Sequence, residues 1–396
     1  MSPQGIKDRI AIIGMSCTKF AEHFDKGLDD LLKEAALKAC RSAHVELSDI
    51  EAYWFGTAQS AMSGIALARA IGVGDKPITR VENFCATGSE ALRNASYAVA
   101  SGAYDIAMAI GGEKVKDSGY QGVNAAAIPD DGTGRTVTAA AMYSMIGPAY
   151  AKKYNVDLDE LKRVLARIAS KNHFNGARNP LAQFRKEASV DQICAMPPVA
   201  GMLGLFDCSG VADGAAAAIV VRAEDAYRYT DDPLYIKALS FVAGDGSGLL
   251  DPTYDFTTFP EIVTCVENAY SQAGITDPRA ELAMAEVHDC FTPTELVLME
   301  DLKFSHRGEA WSDISKGSFD LHGELPVNPD GGLKSFGHPV GASGLRMHYE
   351  AWLQLRNAAG EERQIDSSRG KALIHNLGGY PGEMVSFVSI VGINPG

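Results

Sequence analysis

The sequence contains short motifs whose cysteine and histidine side chains suit nucleophilic catalysis. The first places Cys85 in Asn83-Phe84-Cys85-Ala86-Thr87-Gly88, just before a predicted helix. A thiol at a helix start faces unpaired backbone N–H groups and the positive end of the helix dipole, which can lower a cysteine pKa to between ~3.5 and ~7.5. The motif therefore predicts a nucleophilic thiolate, and the alternative is an inert cysteine among small packing residues.

A second motif, Gly337-His338-Pro339-Val340-Gly341, presents a histidine between glycines. Proline removes a backbone donor and favours an extended conformation at His338, while the flanking glycines permit close approach of another group. An imidazole presented in this way can deprotonate a thiol or donate to an oxyanion. The alternative is an ordinary turn histidine.

Two more motifs follow apolar segments that read as strands. His288 and Cys290 occur in His-Asp-Cys-Phe, and His375 begins His-Asn-Leu-Gly-Gly near the end of the sequence. Strand ends are the usual location of sites in α/β folds, so both motifs are candidates for catalysis. Each has a purely structural alternative when it is considered alone.

The elements that would position these residues alternate between apolar, β-rich runs and helical stretches. The predicted strands are Arg9–Gly14, Ala107–Gly112, Leu234–Phe241, Ala283–His288, Ala372–Asn376 and Met384–Val391. The predicted helices are Leu28–Ala43, Ser89–Ser101, Phe259–Gly274, Thr294–Leu302 and Leu345–Arg356. Because this alternation of strands and helices occurs twice along the chain, it predicts two mixed α/β halves.

The segment between the halves, Lys114–Val190, has a different composition and reads as an insertion. Its spacing predicts an amphipathic helix over Asp157–Ser170 with Arg163, Arg167 and Lys171 four residues apart on one flank. The positions that this helix should bury are Leu158, Leu161, Val164, Leu165 and Ile168.

Composition narrows the possible functions. The 396 residues include 36 Lys+Arg and 50 Asp+Glu, a net charge of −14, so nucleic acid is not an expected partner. The seven cysteines are scattered without CxxC pairs or metal-like Cys/His spacing, which predicts reduced thiols, no metal site and a cytoplasmic location. No run of about 18 apolar residues exists, so no membrane association is expected.

Together these motifs resemble the thiolase family, and most closely its sterol-carrier-protein type. The similarity extends in order over nearly the whole chain. The blocks that carry it are Asn83–Glu90, Lys171–His173, Asn179-Pro180, Ala212–Ala217, Val287–Phe291, Asn328–Gly332, Gly337–Gly344 and His375–Gly378.

The resemblance implies an α/β fold: two pseudo-repeated βαβαβ halves in a five-layered α/β/α/β/α core with an inserted loop domain. The implied boundaries are 1–113 with 191–225 for the first half, 114–190 for the loop domain and 226–396 for the second half. It also implies a homodimer or a dimer of dimers, and some relatives of this type work with a small OB-fold partner protein.

The resemblance makes Cys85 the nucleophile that accepts the acyl group and His338 its base and an oxyanion donor. His288 stands where better-known thiolases have an asparagine that serves the same oxyanion site. A second oxyanion site is implied for the backbone N–H groups of Cys85 and Leu377.

Two departures from the better-known pattern concern the second acid/base. His-Asp-Cys-Phe replaces Asn-Glu-Ala-Phe, and the C-terminal Cys-x-Gly is absent, with His375 at that place. We expect Cys290 to be the second acid/base with His375 in support, and the reverse assignment stays open.

The activity implied is acyl-CoA C-acyl transfer, by thiolysis of a 3-ketoacyl-CoA or the reverse Claisen condensation. Acyl-CoA and coenzyme A are then substrates, no tightly bound cofactor is needed, and Arg163, Arg167, Lys171 and Arg178 are candidate phosphate contacts unless they form a solvated helix face. The alternatives are a thiolase-fold aldolase, a ketoacyl synthase and a non-catalytic acyl-CoA-binding subunit. Chain-length preference should depend on Lys114–Met145 and Phe241–Phe259.

Overall fold

The computed structural model describes residues 5–118 and 138–395. Much of the predicted specificity segment Lys114–Met145 therefore lies outside the described residues.

Nine of the described strands form one mixed sheet, in the order β3-β2-β4-β7-β1-β8-β11-β10-β9, and β5 pairs with β6 separately. The strands are β1 (Ile10–Cys17), β2 (Ala52–Gly56), β3 (Ile78–Val81), β4 (Ile106–Glu113), β5 (Pro198–Ala200), β6 (Leu203–Gly204), β7 (Gly214–Arg222), β8 (Leu234–Ala243), β9 (Met284–Glu286), β10 (Lys371–Tyr380) and β11 (Glu383–Gly392). The sheet has two halves, because β1 meets β8 through only Ala11–Tyr235 and Ile12–Leu234.

Helices cover both outer faces of the sheet halves and fill the space between them. They are α1 (Leu28–Ala43), α2 (Ile65–Ile71), α3 (Thr87–Ala100), α4 (Ala139–Tyr143), α5 (Ile146–Tyr154), α6 (Leu158–Ala177), α7 (Val190–Cys194), α8 (Pro260–Ala273), α9 (Pro278–Glu281), α10 (Thr292–Asp301), α11 (Ala310–Lys316), α12 (Gly332–Phe336) and α13 (Val340–Leu355). Helix α1 packs on β1, β4 and β7, α8 packs on β8 and β11, and α3 packs on α13.

The side chains of β1 alternate between two apolar clusters, one on each face of the sheet. Ile10 and Ile12 join the apolar cluster around α3 and α13, whereas Ala11 and Ile13 join the cluster under α1. Successive side chains of a strand point to opposite faces, so a strand buried on both faces is apolar throughout. The five-layered α/β/α/β/α arrangement predicted from the sequence is confirmed.

The predicted elements are present, with shifted ends. The helix α1 has the predicted bounds, and the strand predicted over Ala283–His288 shortens to Met284–Glu286. It ends early because Val287 N–H donates to the side chain of Asn328 rather than to a neighbouring strand.

Helix α6 differs more from its prediction. It continues to Ala177 instead of ending near Ser170, and Leu158 is 54 % exposed rather than buried. The other four predicted core positions, Leu161 among them, are buried. Leu158 is exposed because it is the first residue of the helix, next to the Asp157 N-cap, where the chain still faces solvent.

No helix in the described parts of the chain is long and apolar enough to cross a membrane.

Candidate active site

A tight turn presents the first candidate nucleophile. Phe84 has a φ of +48°, an uncommon conformation for a bulky residue, and Cys85 follows it directly. The Thr87 hydroxyl fixes the turn, since it accepts from Asn83 N–H at 2.9 Å and donates to the Phe84 carbonyl at 2.5 Å. Cys85 is thus held immediately before α3, as the sequence predicts.

The end of β10 packs against this turn at Gly378. A Cβ built on Gly378 would lie 2.6 Å from the Asn83 carbonyl oxygen and 3.0 Å from the Cys85 nitrogen. Only glycine permits this approach, so the two sheet halves meet at the nucleophile.

His338 reaches the same place from the start of α13. Its backbone N–H donates to the Gly210 carbonyl at 2.8 Å, and its Nδ1 lies 2.7 Å from the Ser343 hydroxyl. That hydroxyl donates to the Pro339 carbonyl, so it accepts from Nδ1–H of the imidazole. The Nε2 atom of His338 is then an unprotonated acceptor, and it has no partner among the described residues.

His288 lies two residues beyond β9 and is fully buried. Its Nδ1 is 2.8 Å from the side-chain amide nitrogen of Asn376, and its Nε2 has no partner in the described structure. The rings of His288 and His338 are 5.4 Å apart and nearly perpendicular.

Cys85 Sγ and one ring nitrogen from each of His288 and His338 all lie within 4.8 Å of one another. They line a pocket of about 170 Å³ together with Cys290 and Tyr143. A nucleophile, an acceptor nitrogen and a further imidazole thus converge on one space, as acyl transfer requires.

Cys290 also lines this pocket. Its sulfur is 3.9 Å from the Thr294 hydroxyl and is also hydrogen-bonded to the Tyr143 hydroxyl. The Tyr143 ring stacks on Phe291 at 4.7 Å, and its hydroxyl donates to the Gly379 carbonyl at 3.0 Å.

Comparison with protein families identifies the chain. Residues 10–224 match the N-terminal domain of thiolases, and residues 250–390 match the thiolase C-terminal domain-like family. The chain belongs to the thiolase family.

Individual relatives agree with this assignment. An acetyl-CoA acetyltransferase of Methanothermobacter thermautotrophicus is 35 % identical over 381 residues, covering 94 % of this thiolase and 97 % of the relative. Sterol carrier protein 2 of Gallus gallus is 31 % identical, covering 93 % of this chain and 70 % of its own. The solved Ltp2-ChsH2(DUF35) aldolase superposes with a TM-score of 0.81 at 23 % identity over 98 % of both chains, which shows the shared fold.

Protonation in this thiolase differs from the sequence expectation. Burial is the largest influence on Cys85 and raises its pKa to about 12, with a further rise from Glu82. The predicted lowering of that pKa is wrong, because desolvation outweighs the backbone N–H groups at the turn. Burial also lowers the pKa of His338 to about 3, so the resting pair is a thiol and a neutral imidazole.

Burial acts in the same direction on the remaining site groups. It raises the pKa of Cys290 well above its ordinary value and lowers that of His288 well below. The nearby Thr294 and Tyr143 hydroxyls partly counteract the rise at Cys290. At neutral pH the thiols are therefore proton donors, and the imidazoles are uncharged.

Two predicted site groups lie outside the pocket lining. His375 is fully buried, its Nε2 is 3.5 Å from the Ser386 hydroxyl, and burial lowers its pKa to about 3. Leu377 is buried on β10, whereas Gly379 and Tyr380 further along the strand line the pocket. The roles of His375 and Leu377 stay predictions.

The four basic residues predicted to contact coenzyme A each have a carboxylate partner. Arg163 pairs with Asp191 at 3.1 Å, Arg167 with Asp320, Lys171 with Glu295 at 2.9 Å, and Arg178 with Glu187 at 2.8 Å. Lys171 is buried, so the helix flank is not a continuous solvated surface. The involvement of these four residues in coenzyme A binding stays a prediction.

Sequence reasoning gave no role to Asn376, Ser343 and Tyr143, although the structure brings all three against site side chains. Asn376 and Ser343 carried a signal, because each lies in a motif that also holds a candidate histidine. Tyr143 carried none, because it reaches the pocket from a short helix in the inserted segment.

Proposed function

We propose that this thiolase is an acyl-CoA C-acyltransferase that cleaves a 3-ketoacyl-CoA by thiolysis or runs the reverse condensation. The observation that supports this most strongly is the convergence of Cys85 with His288 and His338 within 4.8 Å in one pocket. The pKa pattern gives the order of events. Because Cys85 rests as a thiol, its proton must move to neutral His338 as the sulfur attacks the 3-keto carbonyl carbon of the substrate.

The oxyanion formed by this attack needs donors. His338 becomes a donor through Nε2 once it has accepted the thiol proton, and the backbone N–H of Cys85 serves the acyl-enzyme carbonyl. Collapse of the adduct breaks the carbon–carbon bond and releases acetyl-CoA as an enolate, whose α-carbon takes a proton from Cys290. Coenzyme A then attacks acyl-Cys85 and gives its thiol proton to the Cys290 thiolate. The bond between the acyl group and Cys85 breaks, the shortened acyl-CoA leaves, and the Cys85 thiolate takes back the proton held by His338.

We infer that coenzyme A lies in a cleft of about 780 Å³ beside the pocket, formed mainly by residues 183–188 with Gln192, Ala195, Met196 and Phe206. Gln183 links the two spaces, since its amide donates to the Val211 carbonyl at 3.2 Å and Val211 lines the catalytic pocket. Arg185 and Lys186 provide positive charge for phosphates. These two residues are the proposed nucleotide contacts in the cleft, and contacts from Arg163, Arg167, Lys171 and Arg178, which do not line it, stay a prediction.

The decisive experiment is incubation of the purified chain with acetyl-CoA, followed by intact mass and peptide mapping. One acetyl group on Cys85, absent from Cys85→Ala, supports the proposal, and an unmodified chain contradicts it. An aldolase would still cleave a 3-hydroxyacyl-CoA after Cys85→Ala, a ketoacyl synthase would require acyl-carrier substrates, and a non-catalytic subunit would bind coenzyme A without turnover. Co-purification tests the predicted homo-oligomer and the predicted small partner.

A further inference from the structure

The ring proton of His288 can be located from its neighbour. Asn376 presents its amide nitrogen to Nδ1 of His288 at 2.8 Å, and a side-chain amide nitrogen can only donate. Nδ1 must therefore accept. A neutral imidazole that accepts through Nδ1 carries its proton on Nε2.

A second residue sets the orientation of that amide. The Ser89 hydroxyl, on the first turn of α3, donates to the amide oxygen of Asn376 at 3.1 Å. Ser89, Asn376 and His288 are all fully buried, so water does not compete for these hydrogen bonds. The chain Ser89–Asn376–His288 ends at Nε2, which has no partner in the described structure although it borders the pocket.

We propose that Ser89 and Asn376 are positioning residues that keep the proton of His288 on Nε2, so that this nitrogen donates to the thioester oxygen of the bound substrate. The proposal rests on the acyltransferase function above. It gives the two pocket histidines opposite resting tautomers: Ser343 holds the proton of His338 on Nδ1, which leaves a base, whereas Asn376 leaves a donor on His288.

The same tautomer argues against a metal ion bound by Cys85, His288 and His338. A metal needs a lone pair on Nε2 of His288, where this arrangement puts a proton. The charged or titratable groups facing His288 are His338, His375, Arg346 and Cys85. Arg346 and the two other histidines oppose a second proton on His288, and so does its burial.

The direct test is long-range ¹H–¹⁵N NMR of the full chain labelled with [¹⁵N]histidine, with His288→Gln to assign the resonance. We expect the wild-type ring to show a protonated Nε2 and an acceptor Nδ1 across neutral pH. Ser89→Ala should permit both tautomers. A wild-type ring protonated on Nδ1 would mean that the amide is reversed and would overturn the proposal.

The kinetic test is Asn376→Asp, measured as the rate of Cys85 acetylation relative to wild type. The carboxylate introduced at position 376 can only accept, so it favours a proton on Nδ1 of His288. Nε2 then carries a proton only when His288 is a cation with both ring nitrogens protonated. The relative rate should therefore fall as pH rises, by roughly 10²–10³-fold at its lowest, as for loss of one oxyanion donor. Asn357→Asp, a matched exchange at an exposed position, should leave the ratio near one at every pH.

An Asn376→Asp ratio that stays near one at every pH would contradict the proposal. Should that variant fail to fold, the wild-type and Ser89→Ala spectra decide alone. Should wild type never acetylate Cys85, the proposed function fails, while the spectra still report whether Asn376 sets the tautomer.

Discussion

Lys171 Nζ lies 2.9 Å from a carboxylate oxygen of Glu295, and this buried ion pair joins α6 to α10 beside the catalytic motif. Glu295 also accepts from the amide of Asn172 at 2.9 Å, and Asn172 donates to Asp289 at 2.8 Å. Asp289 lies between His288 and Cys290 in sequence. The inserted segment is thus connected by polar contacts to the loop that carries two site side chains.

Lys171→Met should destabilise the protein by about 3–5 kcal/mol, because removal of one partner leaves Glu295 as an uncompensated buried charge. Arg163→Ala on the same helix is the matched control. It breaks an exposed pair and should cost at most about 1 kcal/mol. Urea unfolding of both variants gives the two values, and equal values would show that the buried pair is not important for stability.

Cys85 should react slowly with iodoacetamide at neutral pH. Its raised pKa means that the thiol form dominates below about 12, so the thiolate fraction and the alkylation rate should rise about tenfold per pH unit from neutral to strongly basic pH. Free N-acetylcysteine is the control, and its rate should level off above its own pKa near ~8.5. The rate is measured by quantifying carbamidomethyl-Cys85 in peptide maps. A plateau below pH 8 would instead indicate a resting thiolate–imidazolium pair.

Tyr143→Phe should affect the step that uses Cys290 more than the step that uses Cys85. The Tyr143 hydroxyl lowers the pKa of Cys290 against the larger rise from burial, so its loss should slow exchange of the acetyl-CoA α-protons with deuterated water. We expect a roughly 10–100-fold decrease, the size of one hydrogen bond to a charged group. The internal control is the rate of Cys85 acetylation by acetyl-CoA, monitored by mass spectrometry. This rate should stay within about twofold of the wild-type rate. Equal losses in both steps would point to a general disturbance of the pocket.

Gly378→Ala should strongly impair acylation. The added Cβ would lie 2.6 Å from the Asn83 carbonyl oxygen and must push the nucleophile turn away. A displacement of about 1 Å costs on the order of 10²-fold in rate. Gly74→Ala is the same exchange with nothing within 4 Å of the new carbon, and its rate of Cys85 acetylation should match wild type. A wild-type rate of Cys85 acetylation in Gly378→Ala would mean that the end of β10 shifts to make room for the new carbon without moving Cys85.

The buried strands and most of the site motifs are predictable from local sequence patterns. The run Ile10–Ile13 is apolar and buried at every position, as expected of a strand covered on both faces. Cys85, His288, Cys290 and His338 each follow local signals of small residues, proline or a strand end, and local signals can be read without knowing the fold.

The protonation of the site and the tautomers of its histidines depend instead on contacts between residues that are far apart in the sequence. Burial of Cys85 depends on Gly378 and the second half of the chain, which no local pattern reveals. The same holds for Asn376, which meets His288 across 88 residues of sequence, and for Lys171, whose charge is buried against Glu295. Desolvation and hydrogen-bond direction depend on the residues that surround a group in the folded protein. A sequence pattern can therefore identify the reactive groups, but it cannot predict where their protons lie.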